Sequence, residues 1–86
     1  MKHKKILITG GAGFLGSNLA RRLVEYNAIF LFVKPGTDLW RIADIKDNGN
    51  LNIIEGDLLN ENNVEEAKKD KDYIFHFAWQ TDLKKS

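Results

Sequence analysis

The chain has 86 residues, 13 Lys and Arg against 12 Asp and Glu, a formal charge of +1 and no cysteine. That length holds one small domain, and 43% hydrophobic with 10% aromatic residues supplies a core and excludes a disordered chain. The lack of cysteine excludes a disulfide scaffold, a thiolate metal site and a cysteine nucleophile, and the near-neutral charge argues against a nucleic-acid binder.

Lys2, Lys4 and Lys5 form a short basic start, read as a solvated terminus. The apolar run behind them is only Ile6-Leu7-Ile8, well short of the roughly 7–15 apolar residues of a secretory signal. No stretch approaches the roughly 18 apolar residues of a membrane span, so the expectation is a soluble, cytoplasmic chain without a membrane partner.

Residues 5–9 form a short apolar run stopped by glycines, which fits a strand buried on both faces. From Phe14 to Tyr26, apolar Leu15, Leu19, Ala20, Leu23, Val24 and Tyr26 recur at helical spacing against polar Ser17, Asn18, Arg21, Arg22 and Glu25. Asn27 follows where a left-handed residue commonly ends a helix. A second apolar run, residues 28–33, is closed by Lys34-Pro35-Gly36, whose Pro-Gly pair is turn chemistry. Thr37 or Asp38 can cap a short helix running to about Ile45. Residues 47–50 read as a loop and 51–55 as a third strand. Asn60 is placed to cap a helix through about Lys69, and Tyr73 to Phe77 reads as a fourth strand. Strands alternating with helices imply parallel pairing through crossovers. The fold class is therefore α/β: the first half of a doubly wound Rossmann sheet, about four parallel strands in the order 3-2-1-4 with helices on both faces.

The most informative segment is Thr9-Gly10-Gly11-Ala12-Gly13-Phe14-Leu15-Gly16, at the junction of the first strand and first helix. Two glycine registers overlap in it: Gly11-x-Gly13-x-x-Gly16 and Gly10-x-x-Gly13-x-x-Gly16. Both fit a dinucleotide loop, in which glycine permits the sharp turn and a bare backbone lets a pyrophosphate approach. The first amides of the helix, aided by its dipole, then hold the phosphate charge.

The run from Ile6 to Ala20 resembles the start of an extended short-chain dehydrogenase/reductase, in the branch of NAD-dependent nucleotide-sugar epimerases, dehydratases and reductases. Two later segments agree with it. Glu55-Gly56-Asp57-Leu58 resembles that family's Gly-Asp-Leu after the third strand, and Ile74-Phe75-His76-Phe77-Ala78 resembles the His-x-Ala-Ala end of its fourth strand. The resemblance spans essentially the whole chain. It implies that Gly10, Gly13 and Gly16 form the phosphate loop and that the main chain at Phe14 and Leu15 meets the pyrophosphate. It also implies that Asp57 accepts from the adenine amino group, that Leu58 lines the adenine pocket, and that the strand ending at Ala78 passes under the ribose and nicotinamide. A turn-capping role is the plainer reading of Asp57, and a satisfied buried strand histidine the plainer reading of His76. Trp79 departs from the family pattern, which usually has Ala there.

An NAD site places an acid at the end of the second strand to hold the ribose 2′-hydroxyl. Here that position is Lys34, which favours a 2′-phosphate, so within NAD(P) the lean is towards NADP. Asp38 is the competing acceptor if the Pro-Gly turn brings it round.

The resemblance also implies a Tyr-x-x-x-Lys pair for proton transfer beside the nicotinamide. Tyr26 and Tyr73 are followed four residues on by Phe30 and Phe77, so no catalytic residue is assigned. Nor does any cluster have metal-ligand spacing. The expectation is that residues 1–86 are the amino-terminal half of an NAD(P)-binding domain. The catalytic and substrate-binding parts, and the nucleotide-sugar partner, would then belong to a longer parent. The alternatives are a non-catalytic NAD(P)-binding sensor module and a non-functional remnant. A fourth strand left as a sheet edge is also expected to promote self-association.

Overall fold

The computed structural model describes residues 2–10, 13–57 and 59–77. Four strands form one parallel sheet: β1 Lys5–Thr9, β2 Ala28–Val33, β3 Leu51–Glu55 and β4 Tyr73–His76, in the order β3-β2-β1-β4. Helix α1 spans Phe14–Leu23, a single 3-10 turn spans Trp40–Ile42, and helix α2 spans Glu61–Lys68. The predicted doubly wound half-sheet is the observed one. Central β1 pairs with β2 from Lys5↔Ala28 to Thr9↔Phe32, and with β4 from Ile6↔Tyr73 to Thr9↔His76.

Side chains alternate across the pleat, and each face builds its own core. Ile6 and Ile8 of β1 and Ile29, Leu31 and Val33 of β2 meet Ala20 and Val24 at the α1 side, together with Ile42 of the 3-10 turn. Leu7 and Phe32 point the other way and meet Ala67 of α2, with Phe30 and Ile54 packed beside them. The unbroken apolar runs of β1 and β2 follow from this, because both of their faces are covered. Each fully buried Ile or Leu here contributes roughly 1.5–3 kcal/mol.

α2 begins where the sequence predicts, because Asn60 Oδ1 accepts from the amides of Asn62 and Asn63. Two local expectations need correction. The helix expected from Thr37 or Asp38 to Ile45 shrinks to the single turn Trp40–Ile42 followed by turns. Asp38 Oδ1 does accept from Trp40 N at 3.1 Å, but the Thr37 hydroxyl donates backwards to the Lys34 carbonyl at 2.6 Å and caps nothing ahead of it. Asn27 is not left-handed, since the only positive-φ non-glycine residues among those described are His3 and Asp70. It acts through its side chain: buried to 2% exposure, it accepts from Lys4 N at 3.0 Å and donates to Leu23 O at 2.9 Å.

Arg21, on the polar face of α1, reaches across to the connection after the 3-10 turn. Its Nε and an Nη donate to the two carboxylate oxygens of Asp44 at 2.7 and 2.8 Å, and it also donates to Asn18 Oδ1 and the Arg41 carbonyl. The hydrogen bonds from Arg21 hold the Asp44 carboxyl below its ordinary value, and those to Asp44 raise the guanidinium.

Candidate dinucleotide site

Parallel strands all end on one edge of the sheet, and the predicted site residues follow those ends. Gly10 follows β1, Lys34 follows β2, Asp57 lies two residues past β3, and His76 closes β4. Along the carboxyl edge the order is therefore Asp57, Lys34, Gly10, His76.

The turn out of β1 uses a conformation that glycine supplies at no steric cost: Gly10 has φ 72°. Its amide donates to the Phe32 carbonyl at 3.3 Å, which ties the root of the loop to the end of β2. Gly13 closes back on it, its N–H donating to Gly10 O at 3.0 Å. Gly13 then caps α1 in an extended conformation, φ −79° and ψ 178°, with no side-chain cap and no acidic residue in the first turn. A helix start leaves its first amides without intrahelical partners. Those of Phe14, Leu15 and Gly16 thus keep their donor capacity and the positive end of the helix dipole. Phe14 and Leu15 are 67% and 53% exposed at this corner, whereas Gly16 is buried. A Cβ on Gly13 would approach Gly10 O at 3.4 Å, ordinary contact, so packing against the described residues does not require its absence.

Lys34 opens a turn. Thr37 N donates to Lys34 O at 3.1 Å, with Pro35 second and Gly36, φ 83°, third, the arrangement of a type II turn. The Lys34 side chain is exposed and has no ion-pair partner among the described residues. The Asp38 carboxylate, its competitor for the ribose, accepts from Trp40 N through Oδ1 and keeps acceptor capacity.

Asp57 is exposed, and its Oδ1 accepts from Leu59 N at 2.9 Å, so the turn-capping role anticipated for it is present. One such bond uses one of about four acceptor positions on a carboxylate. Sequence reasoning missed what stands behind Asp57. Its N–H donates to Asn63 Oδ1 at 2.9 Å, and its carbonyl accepts from Asn60 N at 2.9 Å. Gly56 is buried against the Phe32 ring, where a Cβ would lie 2.7 Å from Cζ. The available signal was a second asparagine three residues after the cap, the position from which a side chain reaches back past the helix start.

His76 is exposed rather than buried, because β4 is the last strand of the sheet among the described residues and its end receives little cover. Its Nδ1 lies 2.8 Å from the hydroxyl oxygen of Thr9, a residue buried to 1%. Leu58, Ala78 and Trp79 lie outside the described residues.

The model of the NAD dependent epimerase/dehydratase family matches residues 6–86. The chain belongs to this family. Among curated relatives, a probable dTDP-glucose 4,6-dehydratase of Sinorhizobium fredii is 36% identical over 95% of this chain and 25% of its own length. Family geometry agrees as well. A UDP-N-acetylglucosamine 4-epimerase from Methanobrevibacter ruminantium, solved with UDP-N-acetylmuramic acid, superposes with TM-score 0.79 at 34% identity, over 91% of this chain and 25% of that one. A dTDP-glucose 4,6-dehydratase from Bacillus anthracis in complex with NAD gives 0.73 at 30% identity, over 91% and 27%. A short-chain dehydrogenase/reductase from Veillonella parvula in complex with NADP gives 0.70 at 28%, over 86% and 35%. The chain spans about a quarter of the length of the curated family members it matches. No helix among the described residues is long and apolar enough to cross a membrane.

Proposed function

We propose that this chain is the nicotinamide-dinucleotide-binding part of an enzyme acting on a nucleotide-linked sugar. The observation that carries the reading is the bare start of α1: a glycine cap with no side-chain acceptor and no acid in the first turn, set at the carboxyl edge of a parallel sheet. Gly10, Gly13 and Gly16 shape the phosphate loop, and the amides of Phe14 and Leu15 donate to the pyrophosphate. Asp57 accepts from the adenine amino group, Leu58 lines the adenine pocket, and Ala78 continues the wall beneath the nicotinamide. Lys34, exposed and without an ion-pair partner among the described residues, tilts the site towards the 2′-phosphate of NADP. Solved relatives named with each cofactor support either choice at the level of the fold.

The dinucleotide supplies a hydride acceptor and donor for a sugar carbon. The 86 residues serve as the amino-terminal half of the binding domain. The proton-transfer pair and the sugar pocket come from the remainder of a longer protein, consistent with the quarter-length match to family members. The relatives named as epimerases and dehydratases support a nucleotide-sugar substrate.

Gly13→Ala tests the reading. Among the described residues its Cβ meets only Gly10 O, at 3.4 Å, so the unfolding midpoint is expected to stay close to wild type. The methyl group keeps the pyrophosphate off the backbone, and NADPH affinity measured by titration calorimetry falls at least about tenfold. Unchanged affinity in a folded variant rejects the proposed cradle.

A further inference from the structure

Asn63 makes a side-chain bond that α2 does not need. The helix is already capped by Asn60 Oδ1, which accepts from the amides of both Asn62 and Asn63. Asn63 Oδ1 instead reaches six residues back and accepts from Asp57 N at 2.9 Å. Asn60 N donates to the Asp57 carbonyl at 2.9 Å, so both peptide groups flanking the Asp57 Cα are fixed. Leu59 N then fixes one carboxylate oxygen, Oδ1, at 2.9 Å. Among the described residues no donor reaches Oδ2. The result is an exposed carboxylate at the binding edge of the sheet, immobilised from behind and left with acceptor capacity in front. Immobilising an acceptor in advance removes the ordering cost from the binding step.

We propose that Asn63 is a positioning residue, which aims the Asp57 carboxylate at the exocyclic amino group of a bound aminopurine nucleotide. The inference rests on the dinucleotide reading above and adds to it the device that makes Asp57 selective. A 6-amino group donates to the fixed carboxylate, whereas a 6-oxo group repels it.

The test compares NADPH with its hypoxanthine analogue, in which a 6-oxo group replaces the 6-amino group, by titration calorimetry. Wild type favours the amino form by about tenfold or more, the scale of a hydrogen bond to a charged acceptor. Asp57→Asn abolishes the preference. Asn63→Ala reduces it to within about threefold, because the backbone of Asp57 is released while its carboxylate is retained. Asn63→Asp, which keeps the acceptor, restores it. Alanine is the best helix former, so Asn63→Ala is compatible with α2; Asn63→Ser gives a second truncation of the same contact. A purely structural Asn63 lowers both affinities together and leaves their ratio alone. A ratio indifferent to Asp57→Asn overturns the adenine role of Asp57, and this inference with it. A ratio lost in Asp57→Asn but kept in Asn63→Ala, or not restored by Asn63→Asp, overturns the inference alone.

Discussion

Replacing Gly56 with alanine tests how tightly the β3–α2 turn is built into the smaller core. The added Cβ would stand 2.7 Å from Phe32 Cζ, 3.1 Å from Phe32 Cε2 and 3.1 Å from Asn63 Oδ1. Carbon atoms sit comfortably at about 3.5–4.0 Å, so the ring must retreat by about 0.8 Å or more. It has little room, because Phe32 is 2% exposed and is packed with Leu7 and Ala67. Overpacking of this kind costs about 1–3 kcal/mol. Backbone strain adds nothing, since Gly56 is not among the positive-φ glycines Gly10 and Gly36. Urea denaturation followed by circular dichroism reads the loss directly. A Phe32→Leu background opens the space that the new methyl needs, and there the cost of Gly56→Ala shrinks by at least about 0.5 kcal/mol, the lower end of coupling between touching residues. A Gly56→Ala variant as stable as wild type, or an equal loss in both backgrounds, refutes the steric account.

Asn60→Ala removes the acceptor for two α2 amides and costs about 1 kcal/mol in the same denaturation assay. Asp44→Asn breaks the pairing with Arg21. Because the folded carboxyl is held below its ordinary value by the hydrogen bonds from Arg21, its contribution is present above the ordinary carboxylate range and is lost as pH falls through the lowered folded value. Wild type therefore melts above the variant near neutral pH, and the two melting curves converge in strong acid. Lys34→Glu reverses the preference between NADPH and NADH, read as the ratio of their dissociation constants. Self-association through β4, the last strand of the sheet among the described residues, is an expectation that Ile74→Lys tests: Ile74 is 37% exposed, and a charge there is expected to lower any association read by sedimentation velocity.

Strand positions were legible because β1 and β2 are apolar on both faces, and Pro35-Gly36 and the glycine loop punctuate them. Asn60 was legible because a cap acts within three residues of itself. The readings that missed depended on partners distant in sequence. Asn27 carries the residue type of a left-handed helix end, yet its amide has Lys4 N within reach, 23 residues away, and the side chain takes over. The helix expected after Asp38 had a cap but no long apolar period to sustain it, and only Leu39, Ile42 and Ile45 join the core. In the candidate site, the glycine spacing marked the loop after β1, Lys34 was named from its place after the second strand, and Asp57 from the resemblance of its segment to the family's Gly-Asp-Leu. The support of Asp57 by Asn63, and the pressure of Phe32 on Gly56, arise only when β2, β3 and α2 assemble.

Asn27 also bears on how the chain finds its alignment. Its buried amide stitches the entry of β1 to the last turn of α1, beside the bonds His3 N to Tyr26 O and Ala28 N to Lys4 O. β1 lies between β2 and β4, so any slip there would propagate to both neighbours. A chain threaded one residue out of step would break the bond from Lys4 N to that amide and turn Ile6 and Ile8 towards the wrong layer. The asparagine and the inward isoleucines thus favour the same alignment of β1.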